Sequence, residues 1–302
     1  MDIRTAPRAI ALALMLASGI AAANEALVIQ TDFGLKDGAV SAMKGVAFGV
    51  DRTLPLYDLT HEIPAYNIWE ASYRLYQILQ YWPKGTVFVS VVDPGVGTER
   101  KSVVLKTRSG HYIVTPDNGT LTLVAEHFGI DTVRQIDEKT NRLKGSDKSY
   151  TFHGRDVYAY TGARLASGAI SYEQVGPLLP AEVVKIPYQA AVAEKDGTLK
   201  GTIPILDVQY GNVWTNIDDA LLTKAGISKG DTACIKIREG DVVKYDGKAP
   251  YVSSFGDVPE GQPLLYLNSL LQVSVALNMD SFAAKHQVQS GANWHISLKK
   301  CS

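Results

Sequence analysis

The sequence predicts two unlike domains on one chain: an α/β domain with a mostly parallel sheet, then an all-β domain of barrel or sandwich type. Three observations carry this. From Ala26 to about Gly168, short apolar or β-branched runs alternate with amphipathic segments. Beyond Pro187 only short strand-like runs remain, separated by Gly and Asp turns. Pro187 and the turn Lys195-Asp196-Gly197 mark the change, which assigns residues 24–190 to the first domain and 191–302 to the second.

Taken in order, Ala26 to Gln30 (ALVIQ) reads as a buried strand and Gly38 to Val50 as a helix of small and apolar residues. Leu54 to Thr60 is strand-like. Tyr66 to Tyr81 is amphipathic and helical, stopped by Pro83-Lys84-Gly85. Thr86 to Val92 (TVFVSVV) is a β-branched run fit for a central strand covered on both faces. Ser102 to Thr107 and Tyr112 to Thr115 are shorter strands, and Asp156 to Ser167 is a further helix. In the second domain, Lys200 to Gln209, Val213 to Ile217, Thr232 to Arg238, Asp241 to Lys244, Pro263 to Leu267, Gln272 to Ala276 and Trp294 to Leu298 are strands. A binding site between two unlike domains is the natural expectation.

Residues 1–23 have the anatomy of a secretory signal: Arg4 and Arg8, an apolar core from Ala9 to Ile20, then Ala21-Ala22-Ala23 as a cleavage site. The apolar core is shorter than the roughly 20 residues needed to span a bilayer. The expectation is therefore a periplasmic or secreted protein with no membrane attachment after signal removal. A formal net charge of -1, without any basic run, gives no support for a nucleic-acid partner. Cys234 and Cys301 could form one disulfide tying down the C-terminal tail, or remain two free thiols. Neither has a His or Cys at metal-ligand spacing, so no metal site is expected.

The candidate chemistry lies on loops that follow strands. TDFGLKD, Thr31 to Asp37, puts Asp32 and Asp37 between a first strand and a first helix. In an open α/β sheet that crevice is where small ligands bind. A carboxylate there suits a ribose diol or an ammonium group, although Asp37 equally suits a helix N-cap. VVDPGVGTER, Val91 to Arg100, places Asp93 and a Pro-Gly-Val-Gly turn after the strongest strand, with Arg100 just beyond. TFHGRD, Thr151 to Asp156, sets His153 at a loop–helix junction, where a His can orient or deprotonate water. TPDNGTL, Thr115 to Leu121, is a turn leading into a helix. In the second domain, DVQYGNVWTNI, Asp207 to Ile217, combines Tyr210, Asn212 and Trp214, the chemistry that stacks on a purine and reads its edge.

TDFGLKD, VVDPGVGTER, TPDNGTL, TFHGRDVYA, DVQYGNVWTNI and SFGDVPEGQPLLYLNS, in this order, resemble the S-adenosyl-L-methionine (SAM) hydrolase family, the SAM hydroxide adenosyltransferases, relatives of fluorinase and chlorinase. The resemblance implies hydrolysis of SAM to adenosine and L-methionine by attack of water or hydroxide on C5′. It also implies a homotrimer or dimer of trimers, with sites between the first domain of one subunit and the second of its neighbour. Residue by residue, Asp32 corresponds to the ribose-binding carboxylate, Asp37 to the contact with the methionine ammonium, and Tyr66 to an aromatic beside the sugar. Asp93, Arg100 and His153 correspond to the set that holds and polarises water. Asp207 and Ser269 fall near the methionine end, Tyr210 and Asn212 in the adenine pocket.

A sulfonium is already a good leaving group, so this reaction requires an aligned, activated water and no metal or redox cofactor. Gly154 stands where the fluorinase carries a halide-binding Ser, and no fluorinase-type insertion separates Arg100 from Tyr112. These features favour water over halide. NSLLQVSVALN, from Asn268, lacks the Gly or Arg that relatives carry after Asn-Ser, which leaves the grip on the methionine carboxylate undefined. The other reading is an exported nucleoside-binding or SAM-binding protein without turnover.

Overall fold

The computed structural model describes residues 25–301; the predicted signal segment lies outside them. The chain begins with strand β1 (Leu27–Thr31), helix α1 (Ala39–Val50), β2 (Leu56–Thr60), helix α2 (Ile68–Ile78) and β3 (Val87–Val91). There follow β4 (Ser102–Thr107), β5 (Tyr112–Pro116), α3 (Thr122–Phe128), β6 (Ile130–Gln135), α4 (Tyr160–Ala166) and the short β7 (Leu178–Leu179). These seven strands form one sheet of order β2-β1-β3-β5-β4-β6-β7. β2, β1, β3 and β5 are mutually parallel, whereas β4 and β7 run against their neighbours. Five of the seven strands therefore point the same way, as the alternating pattern predicts.

β1 and β3 are buried on both faces, and their side chains alternate between two cores. Leu27, Ile29, Val87 and Val89 pack with Met43 and Ala47 of α1 and Ala163 of α4. Val28 and Phe88 face the other way, onto Leu75 of α2 and Val124 of α3. The result is a three-layer α/β/α sandwich, with each fully buried Leu, Val or Phe contributing roughly 1.5–3 kcal/mol. α1 turns Val40, Met43 and Ala47 inward at helical spacing. α2 is capped by Asn67, whose side chain accepts from the Glu70 N–H. Gly162 lets α4 lie directly on the sheet, since a Cβ there would stand 2.5 Å from Val89.

Strand order positions the site. After β1 the chain crosses to β2 on one side, then returns to β3 on the other. The carboxyl ends of β1 and β3 thus diverge at a topological switch point, leaving a crevice above Thr31 and Val91.

The second half comprises β8 (Val192–Ala193), β9 (Leu199–Ile203), β10 (Ile205–Asp207), β11 (Asn212–Asp218), α5 (Asp219–Lys224), β12 (Thr232–Glu239) and β13 (Val242–Pro250). It ends with β14 (Pro263–Leu267), β15 (Gln272–Leu277), α6 (Phe282–His286) and β16 (Gly291–Lys300). Two antiparallel sheets, β10-β11-β15-β14 and β13-β12-β16-β9-β8, pack around one apolar core. Cys234 of β12 is disulfide-bonded to Cys301, just past β16, with Cα atoms 5.2 Å apart. A smaller aromatic cluster of Tyr73, Tyr76 and Trp69 against Ile205 and Trp214 joins the halves. The Trp69 Nε1–H donates to the Pro204 carbonyl at 2.9 Å.

Several elements differ from expectation. The single strand over Lys200 to Gln209 is two, because Pro204 donates no ladder bond; there the chain passes from one sheet to the other. β6, absent from the sequence reading, pairs with β4 along its length. The helix expected from Asp156 begins earlier, as a π-helical turn over Gly154–Ala159.

Candidate active site

The crevice at the switch point is a cavity of about 250 Å³ lined by Asp32, Tyr66, Asp93 and His153, with Phe33 and Phe152 as apolar walls. Asp32 follows β1 directly. Its Oδ2 accepts from the Tyr66 N–H at 2.8 Å, leaving the rest of the carboxylate for a ligand. Tyr66 has φ 68°, a left-handed conformation unusual for an aromatic residue, and is 73% exposed. The loop carrying Asp32 is braced from below. His61 Nδ1 lies 2.8 Å from Thr31 Oγ1, its Nε2 lies 2.9 Å from Asp58 Oδ1, and Lys44 donates to the other Asp58 oxygen.

Asp93 follows β3 and opens a tight turn in which the Val96 N–H donates to the Asp93 carbonyl and Gly97 has φ 77°. This turn brings Arg100 back onto Asp93. Nε donates to Oδ1 at 2.9 Å and Nη2 to Oδ2 at 2.5 Å, a fork-to-fork pair. Arg100 Nη1 donates to Ser102 Oγ, which in turn meets the Tyr158 hydroxyl. Arg100 Nη2 also lies 2.9 Å from His153 Nδ1. The three residues that the motifs propose for water activation are thus one connected cluster, and Asp93 and His153 line the cavity beside Asp32.

His153 is 4% exposed and its pKa is lowered. Burial is the main cause; the Arg100 and Arg142 guanidiniums add to it, while Glu138 and Asp93 oppose them. The imidazole is therefore neutral at pH 7. Gly154 permits a close approach here, since a Cβ would stand 3.2 Å from the Phe33 ring.

The remaining candidates lie elsewhere. Asp37 Oδ1 accepts from the Ala39 N–H at 2.9 Å at the start of α1, and Asp37 is not among the residues lining this cavity. Asn118 is turned away as well, donating to the Val92 carbonyl and accepting from Thr120. Asp207, Tyr210, Asn212 and Ser269 line a separate, larger cavity of about 890 Å³ in the second half, together with Trp214 and Phe255. Asn212 Nδ2 donates to Asp207 Oδ2 at 3.0 Å, and Gly211 at φ 70° closes the turn that presents Tyr210. Asn268 Oδ1 accepts from the Leu270 and Gln272 N–H groups and shapes the turn holding Ser269. The two cavities share no lining residue. Among the described residues no group of three or more His, Cys, Asp or Glu side chains is placed to hold a metal ion.

Sequence reasoning missed Glu138, Arg142, Ser102 and Tyr158, which surround Arg100 and His153. Their only signal is the i, i+4 spacing of Glu138 and Arg142, which resembles any solvated charge pair.

The family model described as the SAM hydroxide adenosyltransferase N-terminal domain matches residues 27–176, and the C-terminal domain model matches 201–295. A protein of Methanocaldococcus jannaschii named (R)-S-adenosyl-L-methionine hydrolase is 38% identical over 76% of this chain and 80% of its own. A fluorinase of Actinopolyspora mzabensis is 26% identical over 90% and 96% of the two chains. A crystal structure of a conserved Thermotoga maritima protein superposes with a TM-score of 0.83 at 34% identity, covering 91% of this chain and all of that one. With both domain models matched in order and the cluster intact, the chain belongs to the SAM hydroxide adenosyltransferase family.

Proposed function

We propose that this protein hydrolyses SAM to adenosine and L-methionine, and that Asp32, Asp93, Arg100 and His153 do the work at the N-terminal cavity. The observation that carries the reading is the Asp93–Arg100–His153 cluster standing beside a partly free carboxylate at the sheet's switch point. Asp32 accepts hydrogen bonds from the ribose 2′ and 3′ hydroxyls and fixes the sugar. A water held at Asp93 attacks C5′ in line with the C5′–S bond. The new C–O bond forms as the C–S pair returns to sulfur, leaving the neutral thioether of methionine. The water's proton passes to Asp93. A proton on His153 would add a third cation between Arg100 and Arg142, so the imidazole orients Arg100 rather than charging. Arg100 stabilises the hydroxide character of the nucleophile.

Tyr210 and Asn212 bind the adenine, and Asp207 and Ser269 the methionine end, with Asp37 and Tyr66 as further contacts. Because the two groups of residues line separate cavities in one chain, the reading includes a homotrimer or dimer of trimers in which neighbours combine their halves. It needs no cofactor, metal, nucleic acid or membrane. Residues 1–23 serve as an export signal to the periplasm or medium, and the Cys234–Cys301 disulfide suits an oxidising compartment.

The test is chromatography of the protein lacking residues 1–23, incubated with SAM in chloride buffer beside a His153→Ala control. Adenosine and methionine from the intact enzyme alone support the reading. A 5′-chloro-nucleoside, or unchanged SAM with tight adenosine binding, overturns it. Mixing inactive Asp93→Asn and Asn212→Ala proteins after subunit exchange tests the shared site: activity returns only if neighbours complete one another.

A further inference from the structure

His153 is approached by a guanidinium at each ring nitrogen. Arg100 Nη2 lies 2.9 Å from Nδ1 and Arg142 Nη2 2.7 Å from Nε2. A neutral imidazole carries one lone pair and one N–H, so it accepts from only one of them. The Arg142 side is a built structure of its own. Arg142 is 8% exposed in its side chain, and Nη2 also donates to Glu138 Oε2 at 2.6 Å. The Tyr150 ring lies 4.6 Å from its guanidinium carbon, and Nη1 is buried without a hydrogen-bond partner. The chain is anchored on both sides of it. Asn141 Nδ2 donates to the Gln174 and Val175 carbonyls, and the Leu143 N–H donates to the Asp156 carbonyl. A buried cation with one donor unused is expensive. Its remaining hydrogen bonds go to Glu138 and His153.

We propose that Glu138 and Arg142 form a positioning pair that holds the His153 imidazole against Arg100, so that Arg100 stays locked on Asp93. This rests on the reading of Asp93, Arg100 and His153 as the water-activating cluster. The charged and titratable groups facing His153 are few. They are Asp93 from the turn after β3, Arg100 before β4, Glu138 and Arg142 from the 137–143 turn, and the more distant rings of Tyr150 and Tyr158. Arg142 opposes protonation of His153 and Glu138, 3.9 Å from Nε2, favours it. The pair therefore acts with two signs, which a brace for the loop would not do. When the imidazole stays neutral, either Nδ1 accepts from Arg100 while Nε2 faces the Arg142–Glu138 pair, or Nε2 accepts from Arg142. In both cases the ring is held edge-on between the two guanidiniums.

The experiment combines kcat–pH profiles with NMR of 15N-histidine-labelled protein, His153→Asn assigning one signal among the six histidines. Arg142→Gln should raise the pH midpoint of His153, with the acid limb of kcat moving the same way. Glu138→Gln should lower both, and Arg142→Lys should return both towards wild type. Uniform loss of kcat with an unmoved His153 midpoint in every variant overturns the proposal and leaves Arg142 as a loop brace. Should Arg142→Gln fail to fold, the downward displacement in Glu138→Gln decides alone. If His153 responds as described but the wild-type protein leaves SAM intact, the positioning role stands and the hydrolase reading falls.

Discussion

The N-terminal and C-terminal cavities differ in how their side chains are held. Behind the first, buried ions fix one another: Asp93 on Arg100, Arg100 on Ser102 and His153, Arg142 on Glu138. The second is walled by the rings of Tyr210, Trp214 and Phe255, with amides and the Asp207 carboxylate between them, and Tyr210 is 67% exposed. A network of paired charges holds a reacting atom to a fraction of an ångström. An open aromatic wall recognises a flat base and tolerates movement. On the proposed reading, chemistry and recognition are separated by material as well as by position.

Asp93→Asn tests the ionic side most severely. It should lower kcat about 10²- to 10⁴-fold while adenosine binding by calorimetry stays within a few-fold of wild type. Equal loss of both would mean that the two regions are not separable. The C-terminal sandwich is held covalently where the N-terminal domain is not. Cys234→Ser should lower its unfolding free energy by about 2–5 kcal/mol, as expected for opening a closed loop with a separation of 67 residues. Urea melts with and without reductant read this, and reductant should not move the variant. Tyr210→Ala should raise KM for SAM about tenfold with kcat nearly unchanged, since a stacking wall contributes equally to ground and transition states. A fall in kcat of the same size would assign Tyr210 to alignment of the reacting carbon.

The smallest effect concerns pH. The His153 pKa is lowered by burial and by its two arginine neighbours, so the native state resists the proton that the unfolded chain accepts. Its contribution to stability is complete above its ordinary value of 6.5 and is lost as pH falls through the lowered value. The acid limb of kcat should accordingly lie below pH 6.5, while KM, which His153 does not govern on this reading, changes little over that range. A limb above 6.5 would place a different group in control.

Much of this was legible in the chain. Asp32, Asp93 and His153 stand on loops whose glycines and strand neighbours announce a crevice, so their convergence follows from strand order. Tyr210 and Asn212 were visible because Gly211 marks the turn between them. Arg142 was not, because burial of a charged residue from an ordinary polar loop depends on what packs over it. Tyr150, Glu138 and His153 come together around it from separate segments of the chain. Pro204 likewise hides a change of sheet within a run that reads as one strand, and Asp37 reads equally as ligand or cap, its Oδ1 accepting from the Ala39 N–H.

The left-handed backbone at Tyr66 has a consequence for how this protein can be improved. A side chain in that conformation costs about 1–3 kcal/mol, a strain that glycine would not carry. Tyr66→Gly should therefore melt at a higher temperature than wild type while binding SAM more weakly, with Tyr66→Ala weak in both respects. If Tyr66 grips the ligand as proposed, residue 66 is a point where durability and grip trade against each other, and selection for heat resistance alone would erase the ring.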